Sequence, residues 1–206
     1  MADDFDMRAA VTRSMLGWGV VAGPFYLVFA LTLALTRPGF DLSRHALSLL
    51  TLGENGWLQT LNFALTGIMV MVAGVGIWRA ITGRGRVAGA LVIAAGLAIA
   101  LAGVFRPDPM GNFPPGSEAA FTMSGVLHLV VGLVEFVTFA VAAFLLGPVW
   151  SKVAGGVIAL AFVAGAALSA GPAGVALLWL AVVTSFAWLL FASITVYRSA
   201  PSPDRG

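Results

Sequence analysis

The fold is decided by an uncharged stretch at residues 87–105, which reads VAGALVIAAGLAIALAGVF. A helix that crosses the hydrocarbon core of a bilayer needs about 20 predominantly apolar residues. Because hydrocarbon offers no partner for unpaired backbone groups, such a stretch must be helical, and it shows no strand-like alternation of apolar and polar residues. Residues 87–105 therefore predict a transmembrane helix.

The rest of the chain has the same character. Of its 206 residues, 60% are hydrophobic and 10% are charged, whereas soluble domains average roughly 45–50% apolar and about 25% charged residues. Five further stretches meet the length requirement, at residues 16–36, 58–81, 119–147, 153–170 and 173–197. We therefore predict an all-α polytopic bundle of six transmembrane helices over residues 16–197. Residues 1–15 and 198–206 form the predicted cytoplasmic tails.

The basic residues predict the orientation of these helices. With the N-terminus inside, the inner segments contain Arg8, Arg13, Arg79, Arg84, Arg86, Lys152, Arg198 and Arg205, and the outer loops contain only Arg37, Arg44 and Arg106. Cytoplasmic loops are enriched in Lys and Arg, so both termini are predicted to be cytoplasmic. The first apolar stretch is long enough to remain in the membrane as a signal-anchor helix. Arg outnumbers Lys by ten to one and Ala and Gly are abundant, which indicates a bacterial protein of the plasma (inner) membrane.

Composition also excludes several classes of function. The basic residues are scattered among short loops and do not form the basic stripe typical of nucleic-acid-binding proteins. The chain has no cysteine, which excludes disulfides, thiolate metal sites and a cysteine nucleophile.

Glycines at regular spacing predict close helix contacts. Gly89, Gly96 and Gly103 recur every seven residues in the third helix, and Gly67 and Gly74 do so in the second. Small residues let transmembrane helices approach each other closely. We interpret both stripes as packing surfaces, with a cofactor groove as the alternative.

The scarce polar residues concentrate on the predicted outer side. The first outer loop, residues 37–53, carries Arg44 and His45 and is predicted to contain a short interfacial or re-entrant helix. The second, residues 106–118, carries Arg106 and Asp108, and the prolines on either side of Asp108 restrict its backbone.

Two helices add polar residues near their outer ends. Gln59 and Asn62 share a face of the second helix, and Ser124, His128 and Glu135 share a face of the fourth. At 1.5 Å per residue, Glu135 lies roughly 14 Å inside the outer boundary. An ionisable residue at that depth is costly and indicates a function.

Each of these residues also has a purely structural interpretation. His45 is either a hydrogen-bonding cap of its loop or a functional group. His128 either forms an interhelical hydrogen bond or serves as a metal ligand. Glu135 is either protonated and bonded to a neighbouring Ser or Thr, or functional. Asp108 is either a positioned acid or an ion-pair partner of Arg44 or Arg106.

Several of these segments resemble a known family. They are residues 41–53 (DLSRHALSLLTLG), Asn62 with Gly67, the turn RPDP at 106–109 with FPPG at 113–116, and His128. Over roughly residues 15–198 they resemble the family called "domain of unknown function 998", which implies a multi-pass membrane protein without an assigned activity. More loosely, the Ser-His loop, the acid and the helix histidine are similar to ceramidase and adiponectin-receptor-like membrane hydrolases. That resemblance implies zinc held by three histidines, whereas this chain has two.

Four functions are compatible with this pattern. In the first, an outer polar cavity binds or handles a lipid or small amphiphile. Arg44 and Arg106 contact its phosphate or carboxylate, and Gln59, Asn62 and His128 hydrogen-bond the rest of the ligand. In the second, the chain is a lipid hydrolase with zinc bound by His45, Asp108 and His128, which activates water. In the third, it is a non-catalytic partner of a membrane complex or a homo-oligomer. In the fourth, Glu135 serves a small proton-coupled transporter.

Overall fold

The computed structural model describes residues 5–203. Within that range six helices are long and apolar enough to cross a membrane, with mean hydropathies between 1.7 and 2.5, and no β-strand forms. The helices are α1 (Met7–Thr36), α2 (Gly56–Ala80), α3 (Arg84–Val104), α4 (Met123–Leu146), α5 (Val149–Ala167) and α6 (Pro172–Ser199). The predicted all-α bundle of six spanning helices is confirmed.

The first helix is longer than its apolar stretch. The Asp6 side chain accepts hydrogen bonds from the backbone N–H groups of Arg8 (2.9 Å) and Ala9 (3.0 Å), and α1 therefore begins at Met7. Residues 7–15 of the predicted N-terminal tail are thus helical. Residues 1–4 and 204–206 of the two predicted tails, including Arg205, lie outside the described residues.

The six helices form a closed ring. Each helix packs against the next in sequence, and α6 packs against α1. Because the helices alternate in direction, the connections 37–55, 105–122 and 168–171 share one end of the ring, which we call the loop end. The connections 81–83 and 147–148 lie at the opposite end, the terminal end, where the Asp6 N–H donates to the Pro203 carbonyl at 3.1 Å.

The glycine stripes lie between α2 and α3. A Cβ atom added to Gly67 would lie 2.6 Å from the Gly96 carbonyl oxygen, and one added to Gly74 would lie 2.7 Å from the Ile93 nitrogen. A Cβ on Gly89 would lie 2.6 Å from the Trp78 nitrogen. The predicted role of the glycine stripes in packing is confirmed, because the two backbones meet at distances that leave no room for side chains.

A buried chain of hydrogen bonds joins three helices in the half of the ring near the terminal end. Trp188 of α6 is 2% exposed and its indole N–H donates to the Ser151 hydroxyl of α5 at 2.8 Å. That hydroxyl donates in turn to the Ala143 carbonyl of α4 at 2.7 Å. The indole of Trp188 also contacts the edge of Phe139. A second cavity of about 110 Å³, with Ser151 in its lining, lies beyond this chain at the terminal end.

The loop end is covered by a short 3₁₀ helix at Leu47–Thr51. It is the short helix predicted for this loop, although it spans five residues and has no side-chain cap. Leu47, Leu49 and Leu50 are buried against the bundle. The 3₁₀ helix therefore closes the loop end of the ring over the space between the helices.

Candidate functional site

His45 joins the two long connections of the loop end. Its Nδ1 accepts from the Asp41 backbone N–H at 2.9 Å, so the proton resides on Nε2, which donates to the Gly111 carbonyl at 3.0 Å. The ring also packs against Phe40 and Phe113, with centroid distances of 5.3 Å to each. With 4% exposure and both nitrogens engaged, His45 holds the first connection against the second.

Asp41 organises the turn that presents His45. Its carboxylate accepts from the Ser43 hydroxyl at 2.7 Å and from the Ser43 backbone N–H at 2.8 Å. These hydrogen bonds favour the charged form and hold the pKa of Asp41 below its ordinary value. The Asp41 carbonyl accepts from the His45 backbone N–H at 2.8 Å, which closes the turn.

Asp108 is bound to the beginning of α4. Its carboxylate accepts from the Thr122 backbone N–H at 3.0 Å and from the Thr122 hydroxyl at 2.6 Å. The same hydroxyl accepts from the Gly125 N–H at 3.1 Å and caps the helix. A Cβ on Gly125 would overlap the Asp108 carboxylate, so this arrangement requires glycine at that position.

Replacing Asp108 with alanine is expected to destabilise the protein by about 1–2 kcal/mol, because α4 loses a charge-assisted capping network at its positive end. The loss stays moderate since both hydrogen bonds are exposed and water replaces them in part. Unfolding of the purified protein in detergent micelles measures the effect. Glu118→Ala, at an exposed position of the same loop, is the matched control, and an equal loss in both variants would contradict a specific role for Asp108.

Ser124 and the two loop arginines lie at the same end. The Ser124 hydroxyl donates to the Arg106 carbonyl at 2.9 Å and ties the second connection to α4. The side chains of Arg44 and Arg106 are exposed. Neither arginine lies among the residues that line the interior of the ring.

Gln59 and Asn62 form a buried network between α2 and α1. The Asn62 amide donates to the Tyr26 carbonyl at 3.2 Å and to the Gln59 side-chain oxygen at 3.1 Å. The Gln59 amide donates to the Tyr26 hydroxyl at 3.4 Å, and the Thr66 hydroxyl donates to the Asn62 side-chain oxygen at 3.3 Å. Both amides are fully buried, and their polar atoms bond to α1 and to each other.

His128 faces both α3 and the centre of the ring. Its Nδ1 lies 2.8 Å from the Phe105 carbonyl and 3.2 Å from the Ala102 carbonyl, which α3 leaves unpaired at its C-terminal end. Because carbonyls only accept, Nδ1 carries a proton, and Nε2 is the acceptor nitrogen of the neutral imidazole. No hydrogen-bond donor from residues 5–203 reaches Nε2, and His128 lines the central cavity.

The structure does not bring His45, Asp108 and His128 together as a ligand set. Both nitrogens of His45 and both oxygens of Asp108 are engaged by groups of the loops and of Thr122. Within residues 5–203, no three His, Cys, Asp or Glu side chains are grouped so that they could hold a metal ion. In this arrangement the three residues do not form a zinc site, because His45 and Asp108 would each have to exchange hydrogen bonds for metal ligation.

The ring encloses a cavity of about 140 Å³ beneath the 3₁₀ helix. All six helices and the 3₁₀ helix contribute to its lining, which is mostly aliphatic and aromatic. The polar residues among the lining side chains are Tyr26, Ser48, His128, Glu135, Ser169 and Trp179. Of the residues that the sequence nominated, the cavity therefore contains His128 and Glu135.

Glu135 is the most unusual residue of the cavity. It is 9% exposed, and no hydrogen-bond donor from residues 5–203 reaches its carboxyl group. The nearest hydroxyl on its own helix, that of Thr138, donates instead to the backbone carbonyls of Val134 (2.7 Å) and Glu135 (2.9 Å). A carboxyl group without a partner therefore faces the cavity from the middle of α4.

Sequence reasoning missed four polar residues of the lining: Tyr26, Ser48, Ser169 and Trp179. Tyr26 had a detectable signal, because it is one of two tyrosines in the chain and lies in the middle of an apolar stretch. Ser169 lies in the tight connection between α5 and α6, and Trp179 lies two turns into α6. Nothing in the sequence indicates which side of these helices faces inward.

Comparison with known proteins supports the architecture. A family model described as "Protein of unknown function (DUF998)" matches residues 20–195. No curated protein and no solved structure matches the chain. Since the matched region runs from α1 to α6 and covers most of the chain, the protein belongs to the DUF998 family of proteins of unknown function.

Proposed function

We propose that the protein binds a lipid or small amphiphile in the cavity at the loop end. The supporting observation is an apolar cavity in a membrane-spanning ring that contains a carboxyl group and an imidazole nitrogen without partners. Ligand sites are typically apolar concavities with a few placed polar groups. A ligand that enters such a site from the bilayer must itself combine apolar and polar parts.

The volume of the cavity limits the size of the ligand. At about 140 Å³, it is close to the engineered cavity of roughly 150 Å³ that binds benzene. Sites for drug-sized molecules occupy about 300–1,000 Å³. The cavity therefore accommodates one acyl chain segment or one ring, which favours a single-chain amphiphile, or one chain of a lipid, over a whole two-chain lipid.

The position of the polar groups orients this ligand. Ser48 and His128 lie near the loop end, whereas Glu135 lies two turns further along α4, about 10 Å deeper. With the orientation that the basic residues predict, the loop end faces the outside of a bacterial plasma membrane, and the ligand comes from the outer leaflet. Arg44 and Arg106 lie on the loops of the same end and do not line the binding cavity.

Filling the cavity tests this proposal. A Cβ on Gly132, which lines the cavity, would have only the Phe162 ring within 4 Å, at 3.9 Å, so leucine extends into the open space without a backbone clash. Gly156 of α5 has no atom within 4 Å of an added Cβ and does not line the cavity. Gly156→Leu is therefore the matched control.

The probe is a diazirine-bearing decanol, cross-linked by light to the full chain in phosphatidylcholine nanodiscs and located by mass spectrometry. In the wild-type protein we expect labelling of Phe186, which is 4% exposed and lines the cavity, relative to the lipid-facing Val28, which is 67% exposed. In Gly132→Leu this ratio should fall by about tenfold, since excluding two methylenes costs about 1.6 kcal/mol. An unchanged ratio, or an equal fall in Gly156→Leu, would refute binding in the cavity.

A further inference from the structure

The cavity contains an acidic side chain but no lysine or arginine. Among the described residues that line it, Glu135 is the one carboxylic acid and none is Lys or Arg. Arg44 and Arg106 of the loops are exposed and do not line the cavity. An anionic group that entered the cavity would therefore meet a carboxyl group without any compensating cation, which is costly in a medium of low polarity.

Aromatic rings surround the same space. They belong to Tyr26, Phe63, Phe136, Phe162, Trp179 and Phe186. Tyr26 lies 5.1 Å from Phe186 between ring centroids, and Phe136 is stacked on Phe162 at 4.6 Å. Aromatic faces attract cations, most strongly in sites that exclude water. The cation–π pairs within residues 5–203 are Arg13 with Tyr197 and Arg86 with Trp78, which involve none of these rings.

We propose that the ligand of the cavity is a hydrophobic amine, an organic cation whose ammonium group binds Glu135 while its apolar part contacts the aromatic rings. This inference rests on the proposed function and names the chemical class of its ligand. The Glu135 carboxyl group is 9% exposed and lines the cavity without a hydrogen-bond donor from residues 5–203. An ammonium group carries only donors and matches a carboxylate, which only accepts.

The energetics favour such a ligand for a second reason. Burying two charges at once is often no better than neutral, because both must lose their hydration. Here the carboxyl group is already 91% removed from solvent in the folded chain, as its 9% exposure shows. Its hydration is therefore lost on folding, where burial without a partner favours the neutral, protonated form. An arriving ammonium group stabilises the charged form, and binding then releases the proton of the carboxyl group.

A matched pair of probes tests this inference. Diazirine-bearing decylamine and decanol share one chain and differ in charge, and labelling of Phe186 relative to Val28 corrects for their different concentrations in phosphatidylcholine nanodiscs. We expect the amine to label Phe186 about tenfold more than the alcohol, a ratio that corresponds to 1.4 kcal/mol. Glu135→Gln, which keeps the shape and removes the ionisable group, should lower labelling by the amine to that of the alcohol measured on the same variant. Glu135→Asp should retain part of the preference.

A competition with the wild-type protein makes the test independent of how the variants fold. 3-Phenylpropylammonium and butylbenzene have the same shape, and only the first carries a charged group with N–H donors. The cation should displace the amine from Phe186 at lower concentration than the neutral molecule does. Equal competition, or a preference for the amine that survives in Glu135→Gln, would overturn the assignment of an amine. Even in that case, loss of Phe186 labelling by decanol in Gly132→Leu but not in Gly156→Leu would still support a binding cavity. Labelling by decanol that persists in Gly132→Leu would refute the proposed function itself.

Discussion

Replacing Gly96 with valine is expected to destabilise the bundle by about 3 kcal/mol or more, at the upper end of the usual cost of overpacking. A Cβ at this position would lie 2.7 Å from the Gly67 carbonyl oxygen and 2.7 Å from the Met71 nitrogen. Both atoms belong to the backbone of α2 and cannot rotate away. The valine therefore forces α2 and α3 apart along the contact with the closest backbones in the ring.

Unfolding of purified protein in mixed micelles, followed by tryptophan fluorescence, measures this loss. Gly156→Val is the matched control, because an added Cβ there has no atom within 4 Å and valine is no worse a helix former than glycine. We expect the control to unfold like the wild type. A Gly96→Val protein with wild-type stability would show that α2 and α3 do not cross at these glycines.

Replacing Trp188 with alanine is expected to cost about 3–5 kcal/mol, the usual range for deleting a buried Trp or Phe. The side chain is 2% exposed and packs edge-on against Phe139 at a centroid distance of 6.0 Å. Removing the indole leaves a void beside Phe139. It also leaves the Ser151 hydroxyl without the indole N–H that it accepts in the wild-type protein.

Two further variants separate packing from hydrogen bonding at this position. Trp188→Phe keeps most of the apolar contact and is expected to lose about 1 kcal/mol, the net contribution of a typical hydrogen bond. Trp57→Ala changes an indole that is 60% exposed and is expected to change the free energy of unfolding by less than about 0.5 kcal/mol. Equal losses for Trp188→Ala and Trp57→Ala would contradict the close packing of Trp188 between the helices.

The position of the large buried side chains limits where a ligand fits. Trp188, Phe139 and Ile158 pack inside the ring on the side of the terminal end and are at most 2% exposed. Towards the loop end, small residues such as Ala102 and Gly132 leave space that the surrounding rings do not fill. The cavity that contains Glu135 therefore lies between these large side chains and the loop end.

The candidate site was only partly predictable from the sequence. Helical periodicity placed His128 and Glu135 on one face of α4, and both line the cavity. The same periodicity grouped Ser124 with them, but its hydroxyl bonds to the second connection at Arg106. Gln59 and Asn62 were nominated as binding residues, but their amides bond to α1 and to each other. The sequence shows which residues share a helix face, but it does not show which helix or loop that face contacts.

The sequence alone determined the fold class. Hydrocarbon gives backbone groups no partner, so each apolar stretch of sufficient length must be a helix, and the seven-residue spacing of Gly89 and Gly96 marked a close contact. Only the tertiary structure decided which polar groups remain unpaired. Hydrogen-bond partners come from other helices and loops, as Gly111 does for His45 and Thr122 for Asp108. The free carboxyl group of Glu135 follows from how the ring closes, and short-range sequence patterns carry no information about that closure.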